Sequence, residues 1–165
     1  MSLSRIFRHL CATRAGTRRR FTDAVDASIE SAIRAAETRT SGEIRFVIET
    51  ALDIPELWAG LLPRDRAAQV FAHLRVWDTE LRNGVLIYVL VADRDVEIVA
   101  DRGAAARIAP SDWEAAAHAM ELHFRSGKFA DGAMAGVAAV AGLLEREFPV
   151  RTGDRNELPN QPTLL

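Results

Sequence analysis

Apolar side chains recur along the chain with two different periods, and these periods define the predicted elements. Four stretches have apolar residues at every third or fourth position, which indicates helices near residues 22–39, 67–74, 110–126 and 130–147. Residues 43–50 alternate between apolar and polar, which predicts a strand with one face partly exposed to water. Residues 85–92 are continuously apolar, which predicts a central strand covered on both faces.

The connections between these strands predict how they pair. Asp93-Arg94 links the central strand to a short strand at residues 96–100, and so short a link forces an antiparallel hairpin. A helix separates the first strand from the second, which predicts a parallel crossover. Helices before and after the central strands predict cover on both faces of the sheet. The expected fold class is therefore α/β, a three-layer α/β/α sandwich with a small mixed β-sheet.

The pattern also divides the chain into three parts. A chain of 165 residues that is 48% hydrophobic suits one domain with a substantial core. Residues 22–149 carry the predicted elements, and residues 1–21 form a basic N-terminal arm. Residues 150–165 are polar and contain Pro159 and Pro162, so we expect a disordered tail.

The basic arm has its own apolar pattern. Its arginines precede the first acidic residue, Asp23, and they are Arg5, Arg8, Arg14, Arg18, Arg19 and Arg20. Apolar residues at helical spacing lie among them, at Leu3, Ile6, Phe7 and Leu10. Two interpretations stay open. In one, the arm docks on the domain as a helix or is a frayed tail. In the other, it makes a weak contact with an anionic membrane.

Composition narrows the location and the partners. A net charge of −2 gives no argument for binding to nucleic acid. Cys11 is the single cysteine, which excludes an intrachain disulfide and suits a reducing compartment. No stretch reaches the roughly 18 apolar residues needed to span a bilayer, and the arm lacks the features of a signal peptide. We therefore expect a cytoplasmic protein, and the membrane interpretation of the arm would place it at the inner membrane face.

The two ends of the predicted sheet carry rival sets of polar residues. Open α/β sheets usually bind ligands at the carboxyl ends of their parallel strands. That end collects a set of acidic and hydroxyl side chains: Glu49, Thr50, Asp53, Asp93 and Asp95. The opposite end collects Glu43, Asn83, Asp101 and Arg102. The second set is favoured, because its members come from three separate motifs that converge.

These motifs resemble those of the TPM domain family. They are Ser41-Gly42-Glu43-Ile44-Arg45, Leu81-Arg82-Asn83-Gly84-Val85-Leu86-Ile87-Tyr88, Ile98-Val99-Ala100-Asp101-Arg102-Gly103, and a helix pair that ends in Glu147-Phe148-Pro149. The resemblance covers roughly residues 22–149 and is closest to a bacterial branch without a signal peptide. It implies a mixed-sheet α/β/α sandwich, weak acid phosphatase activity, divalent-cation binding, and accessory roles in assembling or repairing membrane complexes.

Two positions depart from the wider family pattern. Arg82 stands where an acidic residue often precedes the Asn-Gly pair. Ala104-Ala105 stands where Leu-Glu often follows the glycine of the third motif. Both departures remove carboxylates, and they count against a metal site of the family type.

The favoured end of the sheet predicts a ligand or metal site. Oxygen atoms of Glu43, Asn83 and Asp101 suit a hard cation such as Ca²⁺ or Mg²⁺. Arg82 or Arg102 is suited to hold a phosphate oxygen. The alternative is structural, with Asn83 in a turn and Asp101 as a cap or ion-pair partner. No catalytic residue is assigned.

Two hypotheses of function follow. The first is a TPM-like module, non-enzymatic or weakly active, that binds a protein partner or a small ligand. The second is a weak divalent-metal-dependent phosphatase that acts on phosphomonoesters. The loss of carboxylates at two family positions favours the first hypothesis.

Overall fold

The computed structural model describes residues 2–165, and these residues form eight helices and one four-stranded sheet. The helices are α1 (Leu3–Cys11), α2 (Arg14–Arg20), α3 (Asp23–Glu37), α4 (Ile54–Trp58), α5 (Pro63–His73), α6 (Arg102–Ala105), α7 (Pro110–Arg125) and α8 (Phe129–Glu147). The strands are β1 (Glu43–Glu49), β2 (Gly84–Leu90), β3 (Asp95–Ala100) and β4 (Thr163–Leu164). Among residues 2–165, no helix has both the length and the apolar character needed to cross a membrane.

The sheet is mixed, with the strand order β3-β2-β1-β4. β1 and β2 are parallel and begin side by side, since Glu43 lies opposite Gly84. β3 returns antiparallel to β2, with Asp95 opposite Leu90. Every residue of β2 is buried, as expected for a continuously apolar strand. The parallel crossover, the antiparallel hairpin and the interior position of β2 are therefore confirmed.

Helices cover both faces of the sheet, and each face has its own hydrophobic core. One core joins α3, α7 and α8 to the face of β1 that carries Ile44, Phe46 and Ile48. The other core joins α4 and α5 to the opposite face, which carries Val47 and Tyr88. Successive side chains of a strand point to opposite faces, which explains this division. The predicted three-layer α/β/α sandwich is confirmed.

The tail does not show the disorder predicted for residues 150–165. β4 adds to the sheet parallel to β1, and Leu158 is buried in the core beneath α4 and α5. The Arg45 side chain holds this segment, because its guanidinium donates to the carbonyls of Pro159 and Gln161 and to the Thr163 hydroxyl. The prediction of disorder is wrong because partners this distant in the chain leave no local signal in a polar, proline-containing segment.

The basic arm folds into α1 and α2 and docks on the domain. His9 of α1 is buried, and its Nδ1 accepts a hydrogen bond from the backbone N–H of Leu52 at 3.0 Å. Arg5 Nε and Arg8 Nη2 lie 2.9 and 2.8 Å from the carboxylate oxygens of Asp93. The structure therefore shows the arm docked on the domain.

Candidate functional site

The predicted site residues lie together at one end of the sheet. Glu43 is the first residue of β1, and Asn83 directly precedes β2. Asp101 directly follows β3, and its backbone N–H donates to the Gly84 carbonyl at 2.9 Å. Antiparallel pairing brings the end of β3 beside the start of β2, so the three motifs converge as the sequence predicts.

The Glu43 carboxylate is occupied by the protein's own tail. Its two oxygens accept hydrogen bonds from the backbone N–H groups of Glu157 and Leu158, both at 3.1 Å. Burial raises the pKa of Glu43 to about 7, although these two hydrogen bonds oppose the shift. Glu43 therefore anchors the tail in this structure.

In both Asn83 and Asp101, one polar side-chain atom makes a hydrogen bond and the other makes none. The Asn83 amide Nδ2 donates to the Ser41 carbonyl at 2.6 Å. Asp101 Oδ1 caps α6 by accepting the Arg102 backbone N–H at 2.7 Å. Asn83 Oδ1 and Asp101 Oδ2 are buried and have no hydrogen-bond partner within residues 2–165. These two oxygens are the atoms of the predicted site that are left to receive a ligand.

The glycines of the same motifs are explained by close backbone packing. A side chain at Gly103 would place its Cβ 2.5 Å from the Arg82 carbonyl oxygen and 2.6 Å from that of Leu81. A Cβ at Gly84 would overlap the Val76 carbonyl. Only glycine allows backbones to approach this closely. The motif glycines thus serve the packing of this end of the sheet.

The two predicted phosphate-binding arginines lie on the surface. Arg82 is exposed and has the left-handed φ of 53°. The Arg102 side chain is 80% exposed, and its Nε lies 4.0 Å from Asp101 Oδ1. Both guanidinium groups are free to meet an anion from solution. Their exposure also leaves their positions weakly fixed.

The donor set at this end of the sheet is small for a metal. Within residues 2–165, no group of three or more His, Cys, Asp or Glu side chains is placed to hold a metal ion. Ca²⁺ takes about six to eight oxygen ligands. With the Glu43 oxygens taken by the tail, Asn83 and Asp101 supply two, so water or substrate oxygens would complete the coordination.

The opposite end of the sheet is closed by the protein itself. Arg66 Nη2 lies 2.7 Å from Glu49 Oε1, and the Tyr88 hydroxyl lies 2.5 Å from Glu49 Oε2. The Asp93 carboxylate is held by α1. Burial by itself would raise the pKa of Asp93, but the hydrogen bonds from Arg8 and Arg5 bring that pKa below its usual value. Glu49 and Asp93 are thus committed to internal contacts, whereas Asp95 Oδ1 and Thr50 Oγ1 are buried without a hydrogen-bond partner within residues 2–165.

A groove along the edge strand β3 was not found by sequence reasoning. Its volume is about 730 Å³, and α6, α7 and the first turn of α5 form its walls. The β3 residues that line it are Val96, Glu97, Ile98 and Ala100. The position of β3 at the edge depends on the whole strand order, so the local pattern of residues 95–100 carries no signal for it.

The backbone of β3 presents unpaired groups to this groove. Hydrogen-bonded and non-hydrogen-bonded pairs alternate along an antiparallel ladder. Because Asp101 N–H bonds to the β2 side, the backbone groups of Val96, Ile98 and Ala100 point outward. Arg64 Nη1 donates to the Ile98 carbonyl, which agrees with the outward direction of that group. Within residues 2–165, no other side chain bonds to these outward groups.

The groove is acidic and contains one buried donor without a partner. Its carboxylates are Glu97, Glu114 and Glu121, and its basic side chains are Arg64 and His118. Burial is the main reason that the pKa of Glu97 is raised, although the Arg64 guanidinium acts against the shift. Trp113 also lines the groove, and its indole Nε1 has no hydrogen-bond partner within the described chain.

Comparison with known proteins identifies first the fold that this chain shares with other proteins and then the family to which it belongs. The mixed-sheet sandwich is a fold shared with known bacterial structures. Residues 18–143 match the family model of the TPM domain, and the chain belongs to the TPM domain family. The resemblance found in the sequence is therefore confirmed. A comparison with curated proteins finds no match.

Three solved structures share the fold. The BA42 protein from the psychrophilic bacterium Bizionia argentinensis is similar at a TM-score of 0.77 and 35% identity, over 87% of this chain and 94% of that one. The N-terminal domain of a P. gingivalis protein has a TM-score of 0.62 and 21% identity, over 79% and 82% of the two chains. The N-terminal domain of cg2496 from Corynebacterium glutamicum has a TM-score of 0.55 and 15% identity, over 74% and 73%.

Proposed function

We propose that this TPM-family chain is a binding module whose site is the groove along β3, and that it accepts an extended segment of a partner protein. The observation that carries this proposal is the unpaired outer edge of β3. Such an edge binds an extended peptide as an additional strand, with affinity from main-chain hydrogen bonds and specificity from the flanking side chains. The outward groups of Val96 and Ala100 and the Ile98 N–H supply these bonds, whereas the Ile98 carbonyl is held by Arg64.

The side chains of the groove define the chemistry of the partner. Its carboxylates outnumber its basic groups, which favours a segment with lysine or arginine. Trp113, Ile108 and Ala117 form an apolar wall for the alternate side chains of an extended strand. The Trp113 indole N–H is buried at this wall and has no hydrogen-bond partner within the described chain. The expected ligand is therefore a strand that alternates basic and apolar residues.

Titration with a synthetic peptide tests this function. The probe has six residues, the length of β3, and alternates valine and lysine. We expect it to shift the amide resonances of Val96, Ile98 and Ala100, whereas a peptide with glutamate in place of lysine leaves them unchanged. Equal shifts with both peptides, or no shift with either, would contradict the proposal.

Two variants separate strand addition from other modes of binding. Ala100→Pro removes one outward N–H, which an edge strand tolerates, and we expect about tenfold weaker binding at a similar melting temperature. The double variant Glu97→Gln and Glu121→Gln lowers affinity by removing charge. Glu147→Gln, outside the groove, is the matched control. Unchanged affinity in both groove variants would place the peptide elsewhere.

We propose a cytoplasmic location for the module. Cys11 is a free and exposed cysteine on α1. A reducing compartment keeps such a thiol from oxidation and from intermolecular disulfides. Quantitative thiol labelling of the protein in freshly lysed cells checks this, because an oxidised Cys11 would not react.

A second candidate is the metal-dependent phosphatase, which one specific observation favours. Asn83 Oδ1 and Asp101 Oδ2 are buried oxygens without a partner in the described chain. A Ca²⁺ or Mg²⁺ ion held by both would supply the charge that attracts a phosphomonoester, with Arg82 or Arg102 as a further contact.

Thermal unfolding with excess Ca²⁺ or Mg²⁺, against a chelator control, tests this candidate. A cation at about 100 times its dissociation constant adds roughly 2.7 kcal/mol to the free energy of unfolding. We expect the resulting rise in melting temperature to be absent in Asp101→Ala, together with any hydrolysis of an aryl phosphate. If neither cation stabilises the protein, the phosphatase candidate is rejected and the binding module is the remaining function.

A further inference from the structure

The helix α1 faces the domain with its polar side. Asp93 receives the guanidinium groups of Arg5 and Arg8, and the buried His9 ring lies 3.1 Å from the same carboxylate through Nε2. His9 Nδ1 also accepts the Leu52 backbone N–H. The helix is thus held by ionic and polar contacts. An amphipathic helix on a globular domain normally buries its apolar side instead.

The apolar side of α1 faces outward as a consequence. Leu3, Phe7 and Leu10 are 84%, 68% and 59% exposed. They are four and three residues apart, so they lie along one face of the helix, which we call the α1 stripe. Ser2 fixes the start of the helix by accepting the Ser4 backbone N–H. The exposed stripe is therefore part of a formed and capped helix.

Positive charge accompanies the α1 stripe. Residues 2–20 contain six arginines and no acidic residue. Three of these arginines, Arg5, Arg8 and Arg18, form ion pairs with Asp93 or Asp26. The other three have no acidic partner within residues 2–165, and they are Arg14, Arg19 and Arg20. The two N-terminal helices thus combine exposed apolar side chains with uncompensated cations.

The size of the stripe argues against a second protein as its occupant. A helix of nine residues is about 14 Å long. Three side chains on it cover far less than the roughly 800 Å² that each partner buries in a stable protein interface. A lipid surface needs no such area, because shallow insertion of an apolar helix face combines with attraction of its arginines to anionic headgroups.

We propose that the α1 stripe inserts into the headgroup region of an anionic membrane, with Arg14, Arg19 and Arg20 beside the lipid phosphates. The inward arginines Arg5 and Arg8 clamp the helix to the domain. Membrane contact therefore depends on the apolar side chains of α1 as well as on the arginines of α2. This function is independent of the groove along β3 and determines where the binding module acts.

Co-sedimentation with lipid vesicles tests the proposal on the full chain. The probe vesicles contain about one phosphatidylglycerol for every two phosphatidylcholines, and vesicles of phosphatidylcholine alone are the neutral comparison. We expect binding to the anionic vesicles at low salt, with weaker binding to neutral vesicles and at high salt. A chain that stays in the supernatant with both kinds of vesicle would overturn the proposal.

Substitutions in the stripe and in the arginines separate the two contributions. The triple variant Leu3→Ser, Phe7→Ser and Leu10→Ser should bind at least about tenfold more weakly at an unchanged melting temperature. The double variant Arg14→Gln and Arg19→Gln should lose about fivefold per arginine, and on anionic vesicles only. Leu122→Ser, at an exposed leucine of α7, is the control and should bind as the natural chain does.

The single cysteine gives a second measurement, which is made first on the natural chain. Cys11 is exposed and lies one turn after Phe7 on the same helix. An environment-sensitive dye on its thiol should shift to the blue when anionic vesicles are added, and Phe7→Ser should reduce the shift. Undiminished vesicle binding in the triple variant overturns the proposal. A stripe-dependent dimer without vesicle binding also overturns it, and would make a second copy the occupant.

Discussion

At the scale of single residues, Glu37 and Glu43 form a pair of neighbouring carboxylates with shifted acidities. Burial, with a contribution from the charge of Glu43, raises the pKa of Glu37 to about 7. Burial also raises the pKa of Glu43 to about 7. Glu37 accepts a hydrogen bond from Asn160 Nδ2 at 2.6 Å, and Glu43 accepts two from the backbone of the tail. Both carboxylates therefore hold the tail. Ionising either of them in the folded chain costs free energy relative to the unfolded chain.

This pair predicts a fall in stability as the pH rises. In the unfolded chain, each carboxylate titrates near the ordinary glutamate value of 4.5, so the folded state binds more protons between about pH 4.5 and 7. The favourable contribution is complete below pH 4.5 and is lost as the pH rises through 7. We expect Glu43→Gln to flatten this slope by on the order of 1–2 kcal/mol between pH 5 and 8.

Urea unfolding at several pH values measures the effect. The readout is the slope of the free energy of unfolding against pH, since the glutamine amide keeps one of the two accepting oxygens and loss of the other hydrogen bond lowers the stability of Glu43→Gln at every pH. Glu30→Gln, on the solvent side of α3, is the control and should keep the natural slope. Parallel profiles for the natural chain and Glu43→Gln would show that Glu43 titrates normally.

At the scale of elements, periodicity predicts what depends on local pattern. β1 is recognised from the alternation of Ile44, Phe46 and Ile48, and β2 from its unbroken apolar run, because burial on one or two faces selects these patterns directly. α3, α7 and α8 follow their apolar faces in the same way. The convergence of Glu43, Asn83 and Asp101 was predictable too, since it follows from strand direction.

Other features depend on partners that lie far away in the sequence. The order of the tail depends on Arg45 and Glu43, which lie more than 100 residues earlier in the chain. The spacing of Leu3 and Phe7 predicts that α1 is a helix, but the periodicity does not say which side faces the domain. That choice is made by Asp93, a single carboxylate at the end of the sheet. The hydrogen bonds that Glu43 accepts from Glu157 and Leu158 could not be predicted from the sequence, because these partners also lie far away in the chain.

At the scale of the whole molecule, the two ends of the chain cover parts of the sheet that an open α/β sandwich leaves exposed. α1 closes the carboxyl end of β1 and β2 through Asp93. The tail closes the outer edge of β1 through β4. In the described chain, the edge of β3 is left without a covering strand. This division of roles is why the groove along β3 is the favoured binding site, and it requires the tail to be packed.

Packing of the tail is tested by comparing two substitutions within it. Leu158 is 7% exposed and packs in the core beneath α5, whereas Val150 is 49% exposed. Truncating a buried leucine removes apolar contacts and leaves a cavity, so Leu158→Ala should cost about 2–4 kcal/mol. For a chain of this size, that is a fall in melting temperature of roughly 5–15 °C. Val150→Ala should change it by about 2 °C or less. Equal melting temperatures for the two variants would mean that the tail contributes nothing to the core, and the outer edge of β1 would then compete with β3 for an extended partner.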